Sequence, residues 1–423
     1  MGEAGGDRAG SADRSLRETP GPTLADARAA AVRLRGVVLP TSLIPAPSLG
    51  EMIGSPLWLK PETLQRTGSF KLRGAYNCLA LLRAEARGVA AASAGNHAQG
   101  VALAAQLLGR RATVVMPETA SLPKIAATRG YGAEVVLRGT TYDDAYEHAR
   151  ALAEERGLTF VHPFDDPLVV AGQATVGLEI LGELADPEVV VVPVGGGGLI
   201  AGIGLVCRAL CPRARVVGVA AARAPGIYES WRAGAVTGGT ATQTLADGLA
   251  VKRPTPESLR RLLHVVDDMV TVQEDDIAWA MVLLLERARL VAEGAGAAAL
   301  AALLSGRIPA ARGRRTVAVV SGGNVDVAVL GRVIGRGLAR AGRHVTVSTR
   351  VVDRPGALAR LLALVGSAGA NVLAVEHKRL RGAVPLGETA VEVQVETRDR
   401  AHVEQLLELL RAEGYAVETA DGD

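Results

Sequence analysis

Aromatic residues are rare in this 423-residue chain, at 3% of the total. Aliphatic side chains and alanine must therefore build its cores, and no wide aromatic platform is available. Cysteine is as scarce, with Cys78, Cys207 and Cys211 the whole supply. Cys207 and Cys211 share one face if their segment is helical. With no histidine or third thiol nearby in sequence they make no metal site, and they read as free thiols of a reducing compartment. No apolar run reaches the roughly 18 uncharged residues of a membrane-spanning helix. Residues 1–22 are polar and Gly/Ala-rich and lack the apolar stretch of a signal peptide, which predicts a disordered tail on a cytoplasmic protein with no membrane partner. A strong charge imbalance is also missing. The formal net charge is +3 with acids and bases interspersed, which argues against a nucleic-acid partner.

Lysine is the scarcity that points somewhere. An arginine-rich chain keeps five lysines, Lys60, Lys71, Lys124, Lys252 and Lys378. Lys71 stands in Gln65-Arg66-Thr67-Gly68-Ser69-Phe70-Lys71-Leu72-Arg73-Gly74, between an aromatic and a Leu-Arg-Gly turn. Arginine stays protonated at ordinary pH, whereas lysine can lose its proton and form an imine with a carbonyl.

The pattern along the chain is β-α alternation. A helix over 24–35 and a Pro/Ser-rich lead-in over 40–47 precede a strand at 56–60. Strands follow at 88–92, 112–116, 134–137, 189–194, 216–219 and 316–320, with helices at 96–108, 122–128 and 143–155 and further helical segments between the later strands. This order predicts a doubly wound parallel α/β architecture, with ligands at the carboxyl ends of strands. The last 80 or so residues read differently: strand 344–351, helix 357–368, strands 371–380 and 389–396, helix 401–413 and a closing strand 416–419. That βαββαβ order is ferredoxin-like. A linker is expected over 335–343.

The strand from Val189 ends in Gly195-Gly196-Gly197-Gly198-Leu199 and opens a helix. Glycines let backbone N–H groups approach an anion, and the helix start adds its dipole, so a phosphate fits there. Gly196, Gly198 and Ala201 meet the spacing of a dinucleotide loop. The strand that follows ends in Ala220-Ala221-Ala222, with no acid for a ribose; Arg223 leaves NADP as an alternative. A single phosphate without a ribose fits better. A lysine able to form an imine, joined to such a cup, suggests pyridoxal 5'-phosphate. Ser93-Ala94-Gly95-Asn96-His97 opens another helix, where its amides and hydroxyl suit a substrate carboxylate and Asn96 suits a phenolic oxygen. Ser321-Gly322-Gly323-Asn324 is a small polar turn at the end of a further strand.

Together Ser69–Ala75, Ser93–Gly100, Val194–Gly202 and Ser321–Asn324, supported by Thr244–Lys252 and Val291–Gly296, resemble the fold-type II pyridoxal-phosphate enzymes, and within them the threonine dehydratase (threonine ammonia-lyase) family. The likeness spans about 24–340. It implies two lobes over 23–335, the smaller (about 61–164) inserted in the larger. It also implies an imine on Lys71, phosphate held by Gly195, Gly196, Gly197, Gly198 and Leu199, Phe70 beside the ring, Asn96 on its oxygen and Ser321 at its nitrogen. The implied reaction is β-elimination from L-threonine, with L-serine secondary, in isoleucine synthesis or threonine breakdown. The 344–423 unit, with Asp353-Arg354-Pro355-Gly356 after its first strand, resembles an ACT regulatory domain. That implies pairing between subunits of a homodimer or homotetramer and a branched-chain amino-acid effector near Asp353–Gly356 and Asn371. Serine racemases of this fold carry a serine at the place of Ala94 and a cation-binding acid at the place of Ala220; the alanines here speak against racemisation and against a metal. A non-catalytic amino-acid sensor is the alternative outside enzymology, and the intact Lys71 argues against it.

Overall fold

A computed structural model describes residues 21–239, 242–378 and 385–419. The expected tail therefore lies almost wholly outside the described residues, as does the end of the strand expected over 371–380. The chain forms two compact units that divide between Val325 and Asp326.

The first unit holds two sheets. Strands β1 (Ile44–Pro45) and β2 (Leu57–Pro61) begin the larger one. The chain then leaves it for β3 (Val89–Ala92), β4 (Ala112–Met116), β5 (Glu134–Leu137) and β6 (Thr159–Phe160), and returns for β7 (Val189–Pro193), β8 (Arg215–Ala221), β9 (Asp268–Val272) and β10 (Thr316–Val320). The six-stranded order is β1-β2-β10-β7-β8-β9, parallel except for β1; the four-stranded order is β5-β4-β3-β6, all parallel. Strands β3, β4, β7 and β10 are buried along their full length, as strands covered by helices on both faces must be. Each lobe has its own aliphatic core, one around Leu79, Val101 and Met116, the other around Val190, Ile203 and Val317.

The second unit runs β11 (His344–Val352), helix Ala357–Ser367, β12 (Asn371–Lys378), β13 (Glu388–Glu396), helix Arg400–Ala412 and β14 (Glu418–Thr419). Its antiparallel order β12-β13-β11-β14 is the ferredoxin-like topology. Leu361, Val365, Leu406 and Leu410 of the helices bury against Val347, Val391 and Val393 of the sheet.

Two local expectations change. The lead-in over 40–47 contains β1, and a short helix, Pro47–Ile53, starts with proline in its first turn, where the missing N–H costs nothing. The expected linker is largely helical. Helix Val327–Arg340 is capped by Asp326 and carries Leu330, Val333, Ile334 and Leu338 at helical spacing. That apolar stripe outweighs the weak helix propensity of Gly335 and Gly337. The helix falls in the second unit.

One buried ionic cluster anchors the segment that carries Lys71. Arg73 is fully buried. It donates to both oxygens of Glu62 at 2.8 Å and to both of Glu179 at 2.5 and 2.9 Å. Lys60 Nζ donates to Glu179 and to the Thr41 carbonyl. Paired forks satisfy buried charges that would otherwise be very costly, and they fix helix Lys71–Ala80 against β2 and helix Pro167–Glu183.

Candidate active site

Lys71 is the first residue of helix Lys71–Ala80, preceded by Phe70 in the N-cap position with no capping side chain. A helix start disfavours a cation. Part of Lys71 is open to the cleft, but its amino end is enclosed. Desolvation pushes it down to about 8, and the negative charge of Glu293 opposes that fall. Its Nζ donates to the Pro163 carbonyl at 3.0 Å and sits 5.1 Å from the centre of the Phe70 ring. Phe70 itself packs against the core of the larger sheet.

The segment before Lys71 is stitched to the end of β10. Ser69 bridges Gly322, and the Phe70 N–H donates to the Ser321 carbonyl at 3.3 Å. Ser321 is thereby held, 5% exposed, beside the lysine helix.

The glycine loop follows β7 and opens helix Gly198–Leu210, with Leu199 buried in its first turn. The structure explains two of the glycines. Gly197 has φ of +92°, and Gly196 lies against the Phe164 ring, where a Cβ would meet it at 2.1 Å. Ser258 Oγ donates to the Gly196 carbonyl at 2.5 Å and fixes the loop from outside. Pro163 touches Lys71 and Phe164 touches the loop, so one short segment joins amine and cup.

Across the cleft, Ser93–His97 leads into helix Asn96–Leu107. Ser93 Oγ accepts from the Gly95 N–H at 3.1 Å, Ala94 is exposed and Asn96 is partly buried. The His97 side chain turns away from this loop and lies at 3.1 Å from the Val161 carbonyl. Desolvation, followed by the Lys71 charge, pushes it down to about 3. It is held neutral.

Several neighbours of this site were not singled out from sequence. Glu293 is buried, and Asn96 Nδ2 donates to its Oε1 at 2.5 Å. Desolvation, then repulsion by Asp247, pushes Glu293 up to about 7, against the pull of Lys124, Asn96 and Lys71. Its Oε2 has no partner among the described residues. Asn324 Nδ2 donates to Asn96 Oδ1 at 2.7 Å. His162 accepts from the Phe164 and Asp165 amides and packs edge-on against Phe164.

The residues expected to share an effector site do not converge within one ACT unit. Asp353, Arg354, Pro355 and Gly356 follow the end of β11, where Val352 pairs with Glu388. Asn371 begins β12 and pairs with Glu396, which in turn faces His344 at the start of β11. The helix between them carries the chain back along the sheet. Eight strand residues, about 26 Å at 3.3 Å each, separate the two ends. A site using both sets needs two copies of the unit.

A buried, readily neutral amine beside a glycine cup, at the carboxyl ends of parallel strands, is the site of an enzyme using a carbonyl cofactor with one phosphate. A cup that side chains would fill and an unpartnered buried carboxylate oxygen both fit such a group. The chain belongs to the pyridoxal-phosphate dependent enzyme family, whose model matches residues 34–322, and an ACT domain model matches 345–414. The NADP alternative falls with that membership. The chain is 49% identical over 397 residues to an L-threonine ammonia-lyase of Thermotoga maritima, covering 93% of this chain and 98% of that one. It resembles the crystal structure of a T.th. threonine deaminase at 44% identity and a TM-score of 0.68, over 72% of this chain and 99% of that one. It also resembles maize serine racemase at 31% identity and a TM-score of 0.71, over 76% of this chain and 99% of that one.

Proposed function

We propose that the chain is a pyridoxal-phosphate dependent ammonia-lyase that converts L-threonine to 2-oxobutanoate and ammonia, with L-serine as a secondary substrate giving pyruvate. The single observation that carries this reading is Lys71, a buried amine held by the Pro163 carbonyl beside the glycine cup. The 49% identity to an L-threonine ammonia-lyase supports the choice of substrate.

Bound pyridoxal phosphate supplies the electron sink that acidifies the substrate α-hydrogen. The amides of Gly195, Gly196, Gly197, Gly198 and Leu199 hold its phosphate. Asn96 would offer an N–H to its ring oxygen, and Phe70 would flank the ring. The Ser321 hydroxyl would serve the ring nitrogen; unlike a carboxylate it could not keep that nitrogen protonated, which would suit loss of the β-hydroxyl over amine transfer. Lys71 would carry the cofactor, and its Nζ would accept the α-proton of the substrate. Its low pKa leaves a usable neutral fraction near pH 7. Amides of Ser93, Ala94, Gly95, Asn96 and His97 bind the substrate carboxylate. Ala94 has no proton to give to the other face of the substrate, which disfavours racemisation despite the shared fold.

The ACT unit binds a branched-chain amino acid, with Asp353–Gly356 of one copy and Asn371 of another contributing, in a homodimer or homotetramer. Purified protein loaded with pyridoxal phosphate should release 2-oxo acid from L-threonine faster than from L-serine. No release from either would overturn the lyase reading. Equilibrium dialysis that finds neither isoleucine nor valine bound would overturn the effector reading.

A further inference from the structure

Asn96 can present either an N–H or a carbonyl oxygen to the cleft, depending on which way its amide is turned. Four groups in a row bear on that choice. The chain starts at a backbone carbonyl, Thr67 O, which can only accept. Asn324 Nδ2 donates to it at 2.7 Å, so the Asn324 amide is oriented with its nitrogen on that side. The same Nδ2 donates to Asn96 Oδ1 at 2.7 Å. Asn324 Oδ1 faces Gly68, where a Cβ would meet it at 2.3 Å; Gly68 has φ of +67°. With Oδ1 engaged by Asn324, Asn96 turns Nδ2 to the opposite side, where it donates to Glu293 Oε1 at 2.5 Å. Nδ2 carries two hydrogens. One is spent on Glu293 and one is left.

Glu293 is placed for this task and not for the usual one at its position. It is the N-cap residue of helix Gly294–Leu304, yet its side chain makes no capping hydrogen bond. Its N–H instead donates to the Gly322 carbonyl at 3.0 Å. A Cβ on Gly322 would lie 2.5 Å from Oε1, so this glycine leaves room for the carboxylate to reach Asn96. Both ionised and protonated Glu293 can accept at Oε1; a proton, when present, goes to the unpartnered Oε2. Charged groups bear on Glu293 from three elements: Lys71, Lys124 of helix Leu122–Gly130, and Asp247 of the turn Asp247–Leu249. Its protonation can change with theirs while the polarity of the Asn96 contact stays the same.

We infer that Asn324 and Glu293 are positioning residues that lock the Asn96 amide from both sides, so that the cleft always receives an N–H and never an oxygen. Thr67 O sets the sense of the whole row. An N–H donor in that place suits an anionic phenolic oxygen and repels nothing; the flipped amide would set oxygen against oxygen. This inference rests on the cofactor reading above.

The test uses the full-length protein, with pyridoxal 5'-phosphate as the probe. Its affinity and visible absorption band are read together with thermal stability. Glu293→Gln keeps an acceptor for Asn96 and should bind within about threefold of wild type. Asn324→Asp replaces the donor by an acceptor, forces Asn96 to turn, and should weaken binding about tenfold or more, the size of one hydrogen bond to a charged group. It should also shift the band. The double variant can satisfy Asn96 on both sides with its amide reversed, leaving only Thr67 O without its donor, as in Asn324→Asp alone. A purely structural role predicts that it recovers both stability and affinity. The lock predicts recovered stability with affinity and band still impaired. If Asn324→Asp leaves affinity and band unchanged, or the double variant regains wild-type affinity, the inference is overturned. If wild type itself binds no pyridoxal phosphate, the cofactor reading fails first and takes the inference with it.

Discussion

Lys124 Nζ and Asp247 Oδ2 stand 2.5 Å apart, one on helix Leu122–Gly130 of the smaller lobe, the other in the turn behind the glycine loop. Lys252 and Asp143 join the same two lobes, also at 2.5 Å. In an otherwise arginine-rich chain, three of the five lysines thus serve the cleft, one in its interior and two across it. Asp247 is 57% exposed, so the pair is only partly shielded. Asp247→Asn should raise the KM for L-threonine by about two- to fivefold at low salt, the range of a partly exposed ion pair. The effect should fade as ionic strength rises. Steady-state kinetics at two salt concentrations check this, and a KM unchanged at low salt would count against a bridging role.

Gly196 has no room for a side chain, because the Phe164 ring already occupies the place of its Cβ. Gly196→Ala should cost about 1–3 kcal/mol in cofactor binding, as overpacking does. Phe164→Leu added to it should recover part of that loss, and fluorescence titration of pyridoxal phosphate into the three proteins measures the difference.

Arg73 and Glu62 are fully buried, and Arg73 also neutralises Glu179, whose side chain is 26% exposed. Arg73→Ala leaves two carboxylates facing each other with Lys60 alone. The expected loss is about 3–5 kcal/mol of unfolding free energy, read from urea denaturation. A loss under about 1 kcal/mol would mean that the cluster is more hydrated than its burial implies.

Glu293 and Lys71 give the cofactor-free protein a pH signature. Glu293 is raised from 4.5 to about 7, so between those values the folded state keeps a proton that the unfolded chain has released. Stability from this group therefore falls as pH climbs through that window. Lys71 is lowered from 10.5 to about 8, so between those values the unfolded chain holds the extra proton and stability rises with pH. The melting temperature of wild type relative to Glu293→Gln should fall between pH 5 and pH 7. A flat difference would show that Glu293 titrates as an ordinary carboxylate.

The sequence carried much of this because the chemistry sits on contiguous loops. Lys71, Ser93–His97, Gly195–Leu199 and Ser321 each follow a run whose period or composition marks a strand end or helix start. Glu293 and Asn324 stand inside legible motifs, but their partners lie 197 and 228 residues away in the chain, and no local pattern announces such pairs. Phe164 has no local signal for the same reason: it meets Gly196, 32 residues on, only through the tertiary fold. A π-helical turn, Leu284–Ala288, followed by Arg289 at φ of +60°, leads the chain toward Glu293 and left no trace in hydrophobic spacing. In the second unit the βαββαβ order was legible. The separation of Asp353–Gly356 from Asn371 was not, because it depends on strand direction and register.

The most direct test of the central claim compares wild type with Lys71→Ala, both supplied with pyridoxal phosphate and L-threonine, by following 2-oxobutanoate and the visible spectrum. The account predicts a yellow, active wild type and a variant that has lost the visible band and at least three orders of magnitude in rate, about 4 kcal/mol of transition-state stabilisation. A variant that keeps wild-type turnover, or a colourless wild type that releases no oxo acid, would contradict it.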